Sequence, residues 1–397
     1  MLVSNFYHTT YCTNIHPGED WKTTFDSLKN YVPLIKSQVS KTQEFGLGLR
    51  LSNKASEELG FGSKLQEFKD WLTAHQIYIF TMNGFPYGNF HGEAVKDKVH
   101  RPDWTTQERV DYTIRLFKQL NFLLPEGISG GISTSPISYK HWYSSEEELD
   151  HAKKVGAQGM IAVALRLYQT EKETGNYLHL DIEPEPDGIL ENTDEVISFF
   201  KEYLIPIGVD RFKKEFGIPN DNAERIIKRH LTICYDICHF SLAYEEPEHT
   251  FQKFLGNDIK IGKIQVSAAL KVLFNETDNQ HIWESLSKFN EPTYLHQVTE
   301  LSDEGVKTYA DLPELLEKKG RRAQLRAHFH VPIFLQKFPP LYSTQDHILK
   351  VIDYLKKNKI CDHLEIETYT WDVLPIDLKT ALSDSIIREI NWLKERL

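Results

Sequence analysis

Short apolar runs of strand character alternate with helix-length stretches along almost the whole chain, and this rhythm constrains the fold more than any single motif. The runs at residues 7–12, 45–51 (FGLGLRL), 77–83 (IYIFTMN), 128–133, 177–183 (YLHLDIE), 231–237 and 261–267 (IGKIQVS) are apolar enough to need cover on both faces, as strands of a parallel sheet do. Helical stretches separate them at residues 20–39, with a kink expected at Pro33, and at 63–75, 105–120, 146–174, 193–202 and 221–230. Thr105 and Glu108 have capping-box spacing at the start of the third of these. Two further strand-like runs, 325–334 and 363–370, compete for the one place left in a closed barrel of eight parallel strands. The expectation is that 363–370 is the eighth strand, with helices at 344–357 and 379–396. An insertion after strand seven, roughly residues 274–322, then leads into 325–334, which returns over the barrel mouth. The reading is an α/β protein, a (β/α)8 TIM barrel forming one domain over residues 1–397. The alternative is a nine-strand open sheet.

Composition narrows the partners. A formal net charge of -11 over 397 residues argues against a broad nucleic-acid surface, which needs clustered Lys and Arg. No stretch of about 18 apolar residues stands together, so no direct membrane insertion is expected, and a cytoplasmic location is. Cys12, Cys234, Cys238 and Cys361 read as reduced core thiols rather than a zinc set.

In a TIM barrel the chemistry sits at the C-terminal ends of the strands. The stretch 231–244, LTICYDICHFSLAY, is an apolar strand whose tip carries Asp236 and His239, a carboxylate and an imidazole close enough to grip one divalent cation or one hydroxyl. Strand five ends in His179, Asp181 and Glu183 on one face, stopped by Pro184 and Pro186. Strand seven offers Gln265 and Ser267, the returning segment His328 and His330, and strand eight Glu365 and Glu367. Each has a plainer reading: a solvated acid, an Asp that merely orients an imidazole, a loop histidine. Their joint placement at one rim favours a divalent metal site for Zn, Mn or Fe, with oxygen and nitrogen ligands.

The order Glu183, Asp236-x-x-His239, a polar residue on strand seven, His328-x-His330 and a Glu on the last strand resembles the xylose-isomerase-like TIM-barrel superfamily of sugar isomerases, epimerases and endonuclease IV-type nucleases. More specifically, YCTNIHPGEDW, KVHRPDW, HLDIEPEPDG, CYDICHFSLAYE, KIQVSAAL and LEIETYTWDVLP together resemble the EboE metabolite-traffic family. The superfamily resemblance implies metal or catalytic roles for Glu183, Asp236, His239 and one of Glu365 and Glu367, with His330 and His328 as the pair after strand seven. Gln265 stands where the superfamily commonly has a histidine. Arg50 and Asn83 stand at the strand ends where the nuclease branch has histidines, which makes DNA repair an unfavoured reading.

Two functions follow as expectations. One is a metal-dependent enzyme on a small sugar-like or polyol metabolite, working by isomerase- or epimerase-type proton transfer or by metal-assisted hydrolysis. In it Glu183, Glu367 and His239 are catalytic, Glu183, Asp236, His239, Gln265, His328, His330, Glu365 and Glu367 are metal ligands, and Arg50, Asn83, Lys140 and Arg326 bind substrate. The other is a non-catalytic carrier or scaffold of a secondary-metabolite export pathway, with proteins of that pathway as partners.

Overall fold

The computed structural model describes residues 1–88, 95–275, 279–302, 305–320, 322–371, 374 and 381–397. The apolar runs pair as eight parallel strands: β1 (Tyr7–Tyr11), β2 (Phe45–Arg50), β3 (Ile77–Asn83), β4 (Gly130–Thr134), β5 (Leu178–Ile182), β6 (Leu231–Asp236), β7 (Ile261–Val266) and β8 (His363–Ile366). β8 pairs with both β7 and β1, and a bridge between Cys12 and Gly48 brings β1 against β2. At that last seam two threonine hydroxyls stand in for ladder carbonyls: Thr10 Oγ1 accepts from Gly48 N at 2.9 Å and Thr13 Oγ1 from Arg50 N at 2.8 Å. The fold is therefore the TIM barrel, and the nine-strand open sheet falls away.

The interior of the barrel is unusually polar. Lys263 and Glu365 form an ion pair at 2.7 Å, both side chains fully buried. Burial pulls the ammonium toward the neutral form, but the adjacent Glu365 carboxylate outweighs it and holds Lys263 above the usual lysine value. Nearer the N-terminal ends, Asp181 takes hydrogen bonds from Thr232 and, at 2.6 Å, from His179 Nδ1. Gly262 leaves room for Asp181, since a Cβ there would collide with its carboxylate.

Several expectations need correction. The helix at 193–202 is longer than its apolar pattern indicates: Thr193–Phe199 continues through a π turn, Phe200–Leu204, into Ile205–Phe216. His239 is not on a strand. β6 stops at Asp236, whose carboxylate caps a short helix, Ile237–Leu242, by accepting from His239 N at 3.1 Å. That helix carries His239.

The insertion takes in more than 274–322, and the run 325–334 begins as a strand of its sheet before His328 reaches the mouth. A six-stranded antiparallel sheet runs in the order Gly305–Tyr309, Val298–Ser302, Gln324–Ala327, Leu270–Leu273, Leu341–Ser343, Lys337–Phe338. His328 and His330 come directly after its strand Gln324–Ala327. Of the expected Asp303-Glu304-Gly305 turn, the first two residues lie outside those described, as do the first two of the helix at 379–396, seen here as Leu382–Lys394. One cluster of buried apolar side chains includes residues of both the barrel and this sheet. No helix among the described residues is long and apolar enough to cross a membrane.

Candidate metal centre at the barrel mouth

At the C-terminal end of the barrel lies a small, half-open pocket. Its floor is Glu183, Glu185, His239, His328 and Glu367; Phe85, Pro86, Val95, Val99 and Leu295 make an apolar upper wall, with Tyr294 and Tyr369 between. Both the loop after β3 and the inserted sheet supply that wall, and they are joined by Val95 N donating to Thr293 O at 2.8 Å and by Lys96 to Asp311 at 2.5 Å.

Three carboxylates meet at and just beneath the floor. Glu183, Asp236 and Glu367 each offer an oxygen within 4.8 Å of the others, and all three are buried. Their hydrogen-bond donors are neutral: Asn14 and Asn83 both donate to Glu367 Oε1 at 2.8 Å, and Ser267 donates to Asp236 Oδ1 at 2.7 Å. Glu183 Oε2 and Asp236 Oδ2 have no hydrogen-bond partner among the described residues. No ion pair among those residues joins a Lys or Arg to any of the three. Burial, then the neighbouring Glu367 and Asp236 charges, push the Glu183 carboxyl well above the usual range; burial, then Asp236 and Glu365, do the same to Glu367.

Beside them stand three imidazoles whose tautomers can be read from their partners. His239 Nδ1 lies 3.0 Å from Pro184 O, and His330 Nδ1 2.7 Å from Glu367 O. A carbonyl only accepts, so both Nδ1 atoms carry the proton. His328 Nδ1 lies 2.8 Å from Gln297 Oε1, and the Gln297 orientation is set because its Nε2 donates to Pro186 O at 3.1 Å. In a neutral ring the Nε2 is then the lone pair. His239 Nε2 and His328 Nε2 are 3.1 Å apart, and His330 Nε2 has no partner among the described residues. Burial pulls His328 well below the usual histidine range and His330 down to about 4. Ligand atoms also converge in the groups Asp236–His239–His330, Glu185–His239–His328 and Cys238–His328–His330. Buried carboxylate oxygens and imidazole lone pairs without donors are what a divalent cation satisfies, so the residues present fit one.

The other expected site residues are placed elsewhere. Glu365 is committed to Lys263 in the barrel interior. Gln265 is buried in one row between Asp236 and Glu365, both of its polar side-chain atoms without partners among the described residues. Asn83 reaches the floor through Glu367. Arg50 does not: it donates to the carbonyls of Gly18 and Gly88 and ties two loops together. Lys140 pairs with Glu191 at 2.6 Å, and Arg326 donates to Ser241 O while stacking over Tyr244. Neither lines the cavity.

Four residues of the site were missed. Glu185 repeats Glu183 two positions on, the same side of an extended backbone, so period two alone marks it. His100 Nε2 lies 2.8 Å from its Oε1. Asn14, His100 and Gln297 carry no such signal, because they arrive from loops whose placement only the fold decides.

No protein-family model matches this sequence, and no curated protein does. Among solved structures, a xylose isomerase-like TIM-barrel protein from Mycobacterium smegmatis in complex with magnesium is similar over 100% of this chain and 98% of its own, at 8% identity and a TM-score of 0.51. A xylose isomerase domain protein from Planctomyces limnophilus covers 98% of this chain and 97% of its own (11% identity, TM-score 0.49). The IOLI protein with a bound zinc atom covers 97% and 95% (10% identity, TM-score 0.47). The likeness to the Mycobacterium smegmatis structure agrees with the TIM-barrel fold seen here.

Proposed function

We propose that this chain is a divalent-metal-dependent enzyme acting on a small sugar-like or polyol metabolite by proton transfer next to a carbonyl. The observation that carries the reading is the buried triangle of Glu183, Asp236 and Glu367 without a Lys or Arg ion pair among the described residues. These three would hold the ion, Zn, Mn or Fe. When bound, it supplies Lewis acidity toward an oxygen of the metabolite. The chain's own residues do the rest. Asn14 and Asn83 clamp one oxygen of Glu367. Glu183, whose Oε2 has no hydrogen-bond partner among the described residues, takes the proton from the carbon beside the carbonyl and returns it. His239 accepts a hydroxyl hydrogen bond through Nε2, and Phe85 and Leu295 give the apolar part of the metabolite a surface to lie against. Metal-assisted hydrolysis would use the same carboxylate as base toward water.

The resemblance to the EboE motifs supports a second reading, a carrier that binds a pathway intermediate without turning it over. Gln265 favours it, because an amide is a weak metal ligand in a row where a histidine would be a strong one. Both readings are tested by incubating the Mn-loaded chain with aldoses, ketoses and cyclic polyols in heavy water and following carbon-bound deuterium by NMR. Metal-dependent deuterium uptake that Glu183→Gln abolishes is the expected result. Ligand binding that survives chelation, with no exchange in any member of the panel, would leave the carrier.

A further inference from the structure

We infer that the barrel has a second ligand site at its opposite, N-terminal end, where His179 and the pocket around it take a small neutral hydroxylated molecule, a polyol or a sugar. The pocket there shares no lining residue with the one at the mouth, so the site stands or falls apart from the metal-dependent reading.

A pocket of about 430 Å³ opens between the loops that lead into β4, β5, β7 and β8. Ser129, Asn176, Lys260 and Asp362 stand on its walls, and His179 and Thr232 line it from the barrel interior. Its size is that of a small-molecule site. His179 is only 2% exposed. Its Nδ1 lies 2.6 Å from Asp181 Oδ1, and an ionised carboxylate only accepts, so that nitrogen carries a proton. With Nδ1 turned to Asp181, the other ring nitrogen is what His179 presents to the pocket, and it makes no hydrogen bond among the described residues. Two glycines make room for this pair. A Cβ at Gly131 on β4 would come within 2.5 Å of His179 Cε1, and one at Gly262 on β7 within 2.7 Å of Nδ1.

The plainer role for His179 and Asp181 is to brace the strands, and Nδ1 alone serves it. That role leaves Nε2 idle on a side chain otherwise shut off from water, and such a polar atom is what a ligand satisfies. The class of ligand follows from the ring. An ammonium would need it neutral and an oxyanion would need it charged, whereas a hydroxyl can donate to one form and accept from the other. The walls do not select a charge either. Lys260 and Asp362 are one of each sign; Lys260 forms no ion pair among the described residues, and Asp362 has only His363, at 3.8 Å. They offer a donor and an acceptor to neighbouring hydroxyls.

The test is calorimetric titration of the chelator-stripped full chain with glycerol, myo-inositol and D-glucose, and with inorganic phosphate and ethylamine as charged probes. Acylation of His179 by diethyl pyrocarbonate, read by peptide mass, is the independent readout. Saturable binding of a neutral probe without metal is expected, with His179 acylated in the free chain and protected in the bound one. His179→Leu should weaken that binding by about tenfold, and Asp362→Ala, at an exposed wall position, by about 3- to 10-fold. Glu183→Gln should bind as the parent does. No saturation by any neutral probe overturns the inference, as does a free chain in which His179 resists acylation. Saturation by phosphate or ethylamine alone overturns the ligand class. Binding lost in Glu183→Gln and kept in Asp362→Ala puts the ligand at the mouth, which also overturns it and leaves the metal-dependent reading standing.

Discussion

The barrel interior and the barrel mouth contain the same kinds of residue and handle them in opposite ways. Inside, Glu365 is matched by Lys263, and Asp181 by His179 and Thr232. At the mouth, three carboxylates face one another and, among the described residues, take hydrogen bonds from Asn, Ser and backbone donors, while the Nε2 atoms of His239 and His328 lie 3.1 Å apart. A third treatment lies just outside the barrel. Glu389 on the helix Leu382–Lys394 accepts from Thr368 Oγ1 at 2.7 Å and from Ile333 N at 3.2 Å, and burial pushes its carboxyl up to about 8, so it stays protonated at neutral pH. A buried acid is thus paired with a charge, held by neutral donors with its pKa raised, or, at the mouth, gathered with other acids without a Lys or Arg partner among the described residues. The last arrangement is the one a proposed ligand would meet.

The comparison breaks most readily inside. Lys263→Met leaves Glu365 buried and unpaired and is expected to cost about 3–5 kcal/mol in urea unfolding, whereas Lys263→Met combined with Glu365→Leu should recover most of it. A small cost for the single variant would mean that the interior is not balanced by this pair. At the mouth the expected effect is smaller and depends on solution conditions. A divalent ion at a hundred times its Kd should raise the stability of the stripped protein by about 2.7 kcal/mol, and Glu183→Gln with Glu367→Gln should remove that gain. An equal gain in the double variant would place the ion elsewhere.

The smallest effect concerns Glu389. Its folded pKa, about 8, lies above the ordinary 4.5, so its contribution to stability is fully present below pH 4.5 and lost as the pH rises through 8. Glu389→Gln keeps the acceptor oxygen and cannot ionise. The variant should therefore gain on the parent as pH rises, by about 1 kcal/mol or more at pH 9. Parallel melting curves at pH 5 and pH 9 would show that Glu389 is not held neutral.

The eight strands were legible because doubly covered strands must be apolar throughout, and the period of two put Glu183, Asp236 and Glu367 on the right faces. The same period could not separate Glu365 from Glu367, which share a face. Only Lys263, from the neighbouring strand β7, claims one of them. Arg50, Lys140 and Arg326 looked free as a sequence and are not, because backbone carbonyls and acids from distant loops take them.

By itself, then, the sequence determined the barrel and most of the acids and histidines at its rim, since strand burial and side-chain alternation are local properties of the chain. The tertiary structure decided which of them meet without a partner. It set the His239–His328 approach, the Gln297 clamp and the six-stranded sheet that carries both His328 and Gln297 to the mouth. Those depend on pairing between residues tens to hundreds of positions apart, and no local pattern encodes where such segments land.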